Sequence, residues 1–85
     1  MDEVNIGHVI DYFVKIEVAA IDITAGKIEV GDTLHFSGHT TDFSQEIDSM
    51  QIDNEKVKLA EAGESVGIKV IDRVREGDKV YKVIP

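Results

Sequence analysis

The sequence of 85 residues contains no cysteine and no tryptophan, and it has a single proline. Without cysteine, neither a disulfide nor a thiolate metal site can support the fold, and there is no thiol nucleophile. This absence agrees with a reducing cytoplasm, where we expect the protein to reside. Because the acidic start Met1-Asp2-Glu3 is not followed by a long apolar run, we expect no signal peptide, no membrane span and no membrane partner.

Basic residues are few and unevenly distributed. Nine Lys and Arg stand against 17 Asp and Glu, which gives a formal net charge of -8. A general nucleic-acid binder is usually basic, and this excess of acid is more typical of a surface that keeps a small domain soluble. Residues 69–85 reverse the balance, and they either bind a partner or simply offset neighbouring acids. The candidate partner-binding residues are Lys69, Arg73, Arg75, Lys79 and Lys82, the basic cluster.

Motifs that would indicate catalysis are missing from the sequence. No serine lies in a nucleophile-elbow context, and the glycine-containing segment 63–67 lacks the lysine of a phosphate-binding loop. His35 and His39 are four residues apart, but they straddle a strand end and a loop, so the helical spacing does not apply; His8 is distant. We therefore predict that the protein is not an enzyme, with no catalytic, metal-binding or cofactor-binding residues and no intrinsic GTP binding.

Most segments alternate apolar and polar residues with a period of two, which indicates β-strands. The alternation runs from Ile6 through Ile10 to Val18, and its phase shifts near Ala19-Ala20, where we predict a β-bulge or a sharp bend. Residues 43–52 and 66–70 are also strand-like. The residues predicted to be mostly buried are Ile10, Leu34, Phe36, Ile47, Val66, Ile68, Val70 and Val80.

Residues 55–62 allow two interpretations. Glu, Lys, Leu and Ala are good helix formers, which favours a short helix. Val57 and Leu59 nevertheless keep the period of two, and so short a helix is marginal alone, which favours a strand and a turn. We predict the strand, and with it an all-β fold of six or seven strands separated by turns that contain glycine.

Four segments occur in an order typical of one small β-barrel: Gly26–Leu34, Ile47–Ile52, Ala62–Ile68 and Glu76–Val80. Two contain a Gly-Asp turn before a strand, at Gly31 and Gly77, where we predict a backbone conformation that disfavours a side chain. Together the segments resemble domain II of the translational GTPases, such as elongation factor Tu and initiation factor 2. The resemblance extends over most of the chain. The residues that match the turns of that family are Gly26, Gly31, Asp32, Gly63, Val66 and Gly67.

The resemblance implies that residues 1–85 form a single domain, a closed six- or seven-stranded antiparallel β-barrel similar to translation-factor domain II, without a GTPase domain. It also implies a macromolecular partner, either RNA and the ribosome or a larger protein. The segment Ser49-Met50-Gln51 matches the strand on which family members that carry transfer RNA commonly have an acidic residue, and here Met50 or Gln51 occupies that place.

Two functional hypotheses follow. The first is a non-catalytic binding module in translation or RNA metabolism, which the family resemblance and the basic cluster favour. The second is a protein–protein adaptor or subunit that docks on a larger enzyme, which the acidic surface favours because acids repel phosphate.

Overall fold

Alternating residues build an all-β structure. The computed structural model describes residues 2–85, and none of these residues is helical. No helix in this part of the chain therefore has the length and hydropathy needed to cross a membrane. The strands are β1 (Asp2–Phe13), β2 (Val18–Ile23), β3 (Lys27–Glu29), β4 (Thr33–Ser37), β5 (Asp42–Glu46), β6 (Met50–Ile52), β7 (Glu55–Val57), β8 (Leu59–Glu61), β9 (Ser65–Lys69) and β10 (Lys79–Ile84).

Eight strands form one antiparallel sheet in the order β5-β4-β10-β1-β2-β9-β6-β7, and β3 pairs with β8 in a separate two-stranded sheet. The long β1 lies in the middle, where it pairs with both β10 and β2. Residues 55–62 contribute β7 and β8, so the predicted strand is confirmed and the alternative helix is wrong.

The predicted closed barrel of six or seven strands is not found: residues 2–85 form ten strands, and their sheet is not closed. Within residues 2–85, no ladder joins the sheet's end strands, β5 and β7. The physical reason is that the strand predicted over residues 43–52 is interrupted after Glu46. Ile47 is 1% exposed, and its backbone bonds to the turn at Gly31 and Asp32, at 2.8 Å and 2.9 Å, instead of extending either strand.

The core prediction holds for seven of its eight residues. Each of the seven is at most 3% exposed: Leu34, Phe36, Ile47, Val66, Ile68, Val70 and Val80. Ile10 is the exception, because it is 37% exposed.

A register shift in β1 explains this error. Val9 pairs with Ile21 and Asp11 pairs with Ala20, which leaves Ile10 as the extra residue of a bulge. The bulge predicted near Ala19-Ala20 therefore lies on the opposite strand, and β2 itself keeps a regular alternation. A second shift lies between Asn5 and Gly7. The two shifts change which residues of β1 face the core.

Two Gly-Asp turns share one geometry. Gly31 and Gly77 have φ angles of 99° and 93°, which confirms the predicted conformation. In each turn the following aspartate accepts a hydrogen bond at 2.8 Å from the backbone N–H three residues earlier, Asp32 from Glu29 and Asp78 from Arg75. Glycine tolerates the left-handed backbone and the carboxylate closes the turn.

Candidate functional site

The basic cluster predicted from the sequence is distributed over several parts of the surface. Lys82 is paired with the Asp32 carboxylate at 3.1 Å. Lys69 lies at the end of β9 and lines a cleft with acidic residues that include Glu46. Lys79 is exposed at the start of β10. Only Arg73 and the next basic residue, Arg75, line the same cleft.

This arginine cleft has a volume of about 390 Å³. It lies between the loop that connects β4 to β5 and the loop that connects β9 to β10. Its lining residues are Gly38, His39, Thr40, Thr41, Asp42, Phe43, Asp72, Arg73 and Arg75. Val74 is 1% exposed, whereas Arg73 and Arg75 on either side of it are exposed. Burial of Val74 thus anchors the loop and directs both arginines outward.

The position of Arg75 is fixed from three directions. Its Nε donates to the Thr40 hydroxyl at 2.9 Å, its backbone N–H donates to Asp78 at 2.8 Å, and its carbonyl accepts from the Asp78 N–H at 3.0 Å. Asp78 is itself only 6% exposed and lies against Gly38. A Cβ at Gly38 would overlap the Asp78 carboxylate, so the two loops approach as closely as they do because residue 38 is glycine.

The arginine cleft carries charges of both signs. Asp72 accepts a hydrogen bond at 2.8 Å from the backbone N–H of Arg73. Asp42 contacts the His35 ring at 2.6 Å. Within residues 2–85, no ion pair of 4.0 Å or less involves either arginine. Both guanidinium groups are therefore available to donate hydrogen bonds to an anionic ligand. The carboxylates of Asp42 and Asp72 limit how much negative charge the cleft tolerates.

His35 is held between two carboxylates. Its Nδ1 lies 2.8 Å from Glu3 and its Nε2 lies 2.6 Å from Asp42. Hydrogen bonds to Glu3 and then to Asp42 raise the pKa of His35 above 6.5, because they stabilise the charged imidazolium. With both ring nitrogens occupied, His35 is not placed to take a proton from a nucleophile. Within residues 2–85, no three histidine or acidic side chains are grouped so that they could hold a metal ion.

A second candidate surface is apolar, and the sequence did not predict that its residues are exposed. Phe13, Val14 and Ile16, which we call the hairpin tip, lie where β1 turns into β2 and are 47%, 62% and 61% exposed. Beside them is a cleft of about 380 Å³ whose lining includes Val18 and Gly67. The sequence pattern placed Val14 and Ile16 on the same strand face as Ile6 and Ile10. The bulge at Ile10 and the turn after Phe13 overturn that assignment, and neither has a strong sequence signal.

Comparison with known proteins gives relatives but no family model that matches. The chain is 40% identical over 80 residues to an uncharacterized protease of Methanocaldococcus jannaschii, a match that covers 93% of this chain and 19% of that protein. It is 30% identical over 81 residues to a collagenase of Porphyromonas gingivalis, which covers 94% of this chain and 20% of the collagenase. The chain thus spans about a fifth of the length of the curated relatives it matches.

Solved structures with a similar fold include a domain of a protein named as a peptidase. The C-terminal domain of a Geobacillus thermoleovorans protein proposed to be a U32 peptidase matches with a TM-score of 0.87 at 19% identity, over 94% of this chain and 92% of that domain. Its selenomethionine variant matches with a TM-score of 0.84. At this identity the likeness establishes a shared fold.

These comparisons overturn the resemblance to translation-factor domain II. The matched relatives are named as proteases and collagenases, and the matched fold is that of a peptidase C-terminal domain. The function in translation or RNA metabolism that the resemblance implied is therefore wrong. The physical reason is that Gly-Asp turns between short strands serve any compact antiparallel structure, so the order of such turns does not identify one family.

Proposed function

We propose that the chain is an accessory β-domain of a peptidase of the U32 type and that it does not itself cleave peptide bonds. The observation that carries this proposal is the 40% identity to the Methanocaldococcus jannaschii protease over 93% of the chain. The likeness to a peptidase C-terminal domain supports it through the fold.

The chemistry of the described residues supports the non-catalytic part of the proposal. The chain has no cysteine, and both ring nitrogens of His35 are occupied by carboxylates. Many peptidases use an activated side-chain nucleophile or a metal-bound water, and residues 2–85 contain no cluster that could hold the metal. Peptide hydrolysis would then belong to other parts of such a protein.

The hairpin tip supports the accessory role. Three adjacent large apolar side chains, each about half or more exposed, form an unusual surface for a chain of this size. In this proposal the tip packs against the remainder of the peptidase, and the cleft beside Val18 and Gly67 receives one of its apolar side chains. The length of the relatives, about five times the matched segment, provides the occupant.

A chimera tests the proposal. This chain replaces the matching segment of the Porphyromonas gingivalis collagenase, and collagen cleavage is compared with that of the intact collagenase and of a form lacking the segment. We expect the chimera to recover activity lost on deletion, and we expect the 85-residue chain alone to cleave nothing. The variant Val14→Asp with Ile16→Asp should weaken the recovery, whereas Ile71→Asp, at a site 72% exposed but away from the tip, should not.

Two outcomes contradict the non-catalytic accessory role, and a third contradicts the role of the hairpin tip. Cleavage by the isolated chain would show that it carries its own catalytic residues. A chimera no more active than the deletion form, although it folds, would show that the chain cannot serve as the accessory domain. Recovery that is equally sensitive to the tip and to Ile71 would exclude the tip as the contact surface.

A further inference from the structure

We propose that the arginine cleft binds a carboxylate group of a polypeptide, either an acidic side chain or a C-terminus. This inference rests on the proposed function in one respect, since a peptidase domain meets polypeptides. It is otherwise carried by the geometry of Arg73, Arg75 and their surroundings.

Two guanidinium groups line the arginine cleft, and neither forms an ion pair with a carboxylate in the part of the chain that the structure describes. The net charge of -8 makes carboxylates abundant on this surface, yet within residues 2–85 no carboxylate forms an ion pair of 4.0 Å or less with the guanidinium group of Arg73 or Arg75. Lys82, by contrast, is paired with Asp32. A guanidinium presents parallel N–H donors that match the two oxygens of a carboxylate.

Hydrogen bonds fix the positions of Arg75 and of the two loops that form the arginine cleft. The Nε of Arg75 is engaged by Thr40, which leaves its terminal nitrogens for a ligand. Asp78 holds the backbone of Arg75 and lies against Gly38, so both loops are joined by a nearly buried group. A side chain that is already oriented loses less entropy when a ligand binds.

One wall of the arginine cleft is aromatic. Phe43 is half-buried there and stacks on the core residue Phe36, with ring centroids 5.0 Å apart. An aromatic wall beside two guanidinium groups suits a ligand that has an apolar stem and an anionic end. The side chain of glutamate and the last residue of a peptide both have this form.

Acidic residues in and around the arginine cleft limit the negative charge that a ligand can carry. Asp42 and Asp72 line the same cleft, and the rest of the molecule is strongly acidic. A polyanion would place several charges near these carboxylates and be repelled, whereas a single carboxylate can sit between the arginines. The cleft therefore favours a peptide carboxylate over a nucleic acid.

Fluorescence anisotropy with labelled peptides of about seven residues tests the proposal. One peptide carries an internal Glu and an amidated C-terminus, a second has no acidic side chain and a free C-terminus, and a third is neutral with an amidated C-terminus. We expect the first or the second to bind at least about tenfold more tightly than the third. Which of the two binds identifies the source of the carboxylate.

Variants assign the binding to the cleft. Arg73→Gln with Arg75→Gln should remove the preference for the carboxylate peptides, while circular dichroism remains that of the unaltered chain because both side chains are exposed. Lys79→Gln removes an exposed positive charge that does not line the cleft and should leave the preference unchanged.

Three results would overturn the proposal: equal binding of all three peptides, equal losses from Lys79→Gln and the arginine variant, or a single-stranded RNA of similar length that binds more tightly than either carboxylate peptide. The chimera measures activity without requiring this binding. Failure here would therefore leave the accessory role standing, and failure of the chimera would leave the cleft's affinity for carboxylates standing.

Discussion

The Gln45 side chain donates a hydrogen bond from Nε2 to the backbone carbonyl of Lys69 at 3.0 Å. Its Oε1 accepts a second bond, at 2.8 Å, from the backbone N–H of Ile71. Gln45 lies on the end strand β5 and Lys69 on β9, and no backbone ladder joins these two strands. One amide side chain thus makes the donor and acceptor pair that a neighbouring strand would make, and it connects two parts of the sheet that the backbone leaves apart.

Replacing Gln45 by Ala should therefore destabilise the protein. Both bonds are near the surface, where water replaces the lost partners, so we expect a loss of about 1–2 kcal/mol in the free energy of unfolding. Urea unfolding measures the change. Ser44→Ala on the same strand is the control, since Ser44 is exposed and should change the free energy by less than about 0.5 kcal/mol. Equal effects of the two variants would contradict a bridging role.

Ile68 tests the centre of the core. Its side chain is 1% exposed, and its position on β9 pairs with both Ala19 and Met50. Ile68→Ala should cost about 2–5 kcal/mol, because it removes buried methylene groups and leaves a cavity. Ile71→Ala is the matched control three residues away, at a side chain that is 72% exposed. A urea midpoint that moves equally in the two variants would show that Ile68 does not contribute as a core residue.

Local sequence signals predicted much of the fold. Alternation identified the strands around Leu34 and Ile68, and the Gly-Asp pairs identified the turns at Gly31 and Gly77. The absence of a ladder between the end strands within residues 2–85 was not predictable in the same way. It follows from the interruption after Glu46, and the bonds of Gln45 to Lys69 and Ile71 involve a side-chain amide, which has no period in a sequence. The exposure of Ile10 was missed for a related reason, since one extra residue in a bulge reverses which side chains face inward.

The candidate site was predictable only in part. The concentration of basic residues after residue 68 indicated a region, and the alternation around Val74 was consistent with Arg73 and Arg75 on one surface. The sequence could not show that Lys82 pairs with Asp32, fifty residues earlier in the chain. It also could not show that the opposite wall of the arginine cleft comes from the loop after β4, because such contacts arise only when β10 pairs with β4.

His35 should make stability depend on pH. Glu3 and Asp42 raise its pKa in the folded protein above the unfolded value of about 6.5. The native state therefore binds the proton more tightly, and the stabilisation is fully present below pH 6.5 and is lost as the pH rises through the folded pKa.

The measurement is the free energy of unfolding of the unaltered protein and of His35→Gln at several values between pH 5 and pH 9. We expect the difference between them to be largest near pH 5–6 and to shrink towards pH 9. The effect should be modest, since His35 is only partly buried and its partners are more exposed. A difference that stays constant across this range would show that the imidazolium is not stabilised by the two carboxylates.

Gly38 links stability to the arginine cleft. A methyl group there would overlap the Asp78 carboxylate, which holds the Arg75 backbone N–H at 2.8 Å. Because Asp78 is nearly buried, it cannot move without leaving that bond, and Gly38→Ala should cost about 1–3 kcal/mol. It should also weaken binding of carboxylate peptides, because Arg75 loses its fixed position.

Gly67→Ala is the control for this last prediction. A Cβ at Gly67 would meet Cγ1 of Val18 at 3.4 Å, an ordinary van der Waals contact, and Gly67 lies outside the arginine cleft. Urea unfolding and peptide anisotropy should therefore both change more for Gly38→Ala than for Gly67→Ala. If Gly38→Ala lowered stability while peptide affinity remained unchanged, Asp78 would support the loop alone, and the orientation of Arg75 would have to come from Thr40.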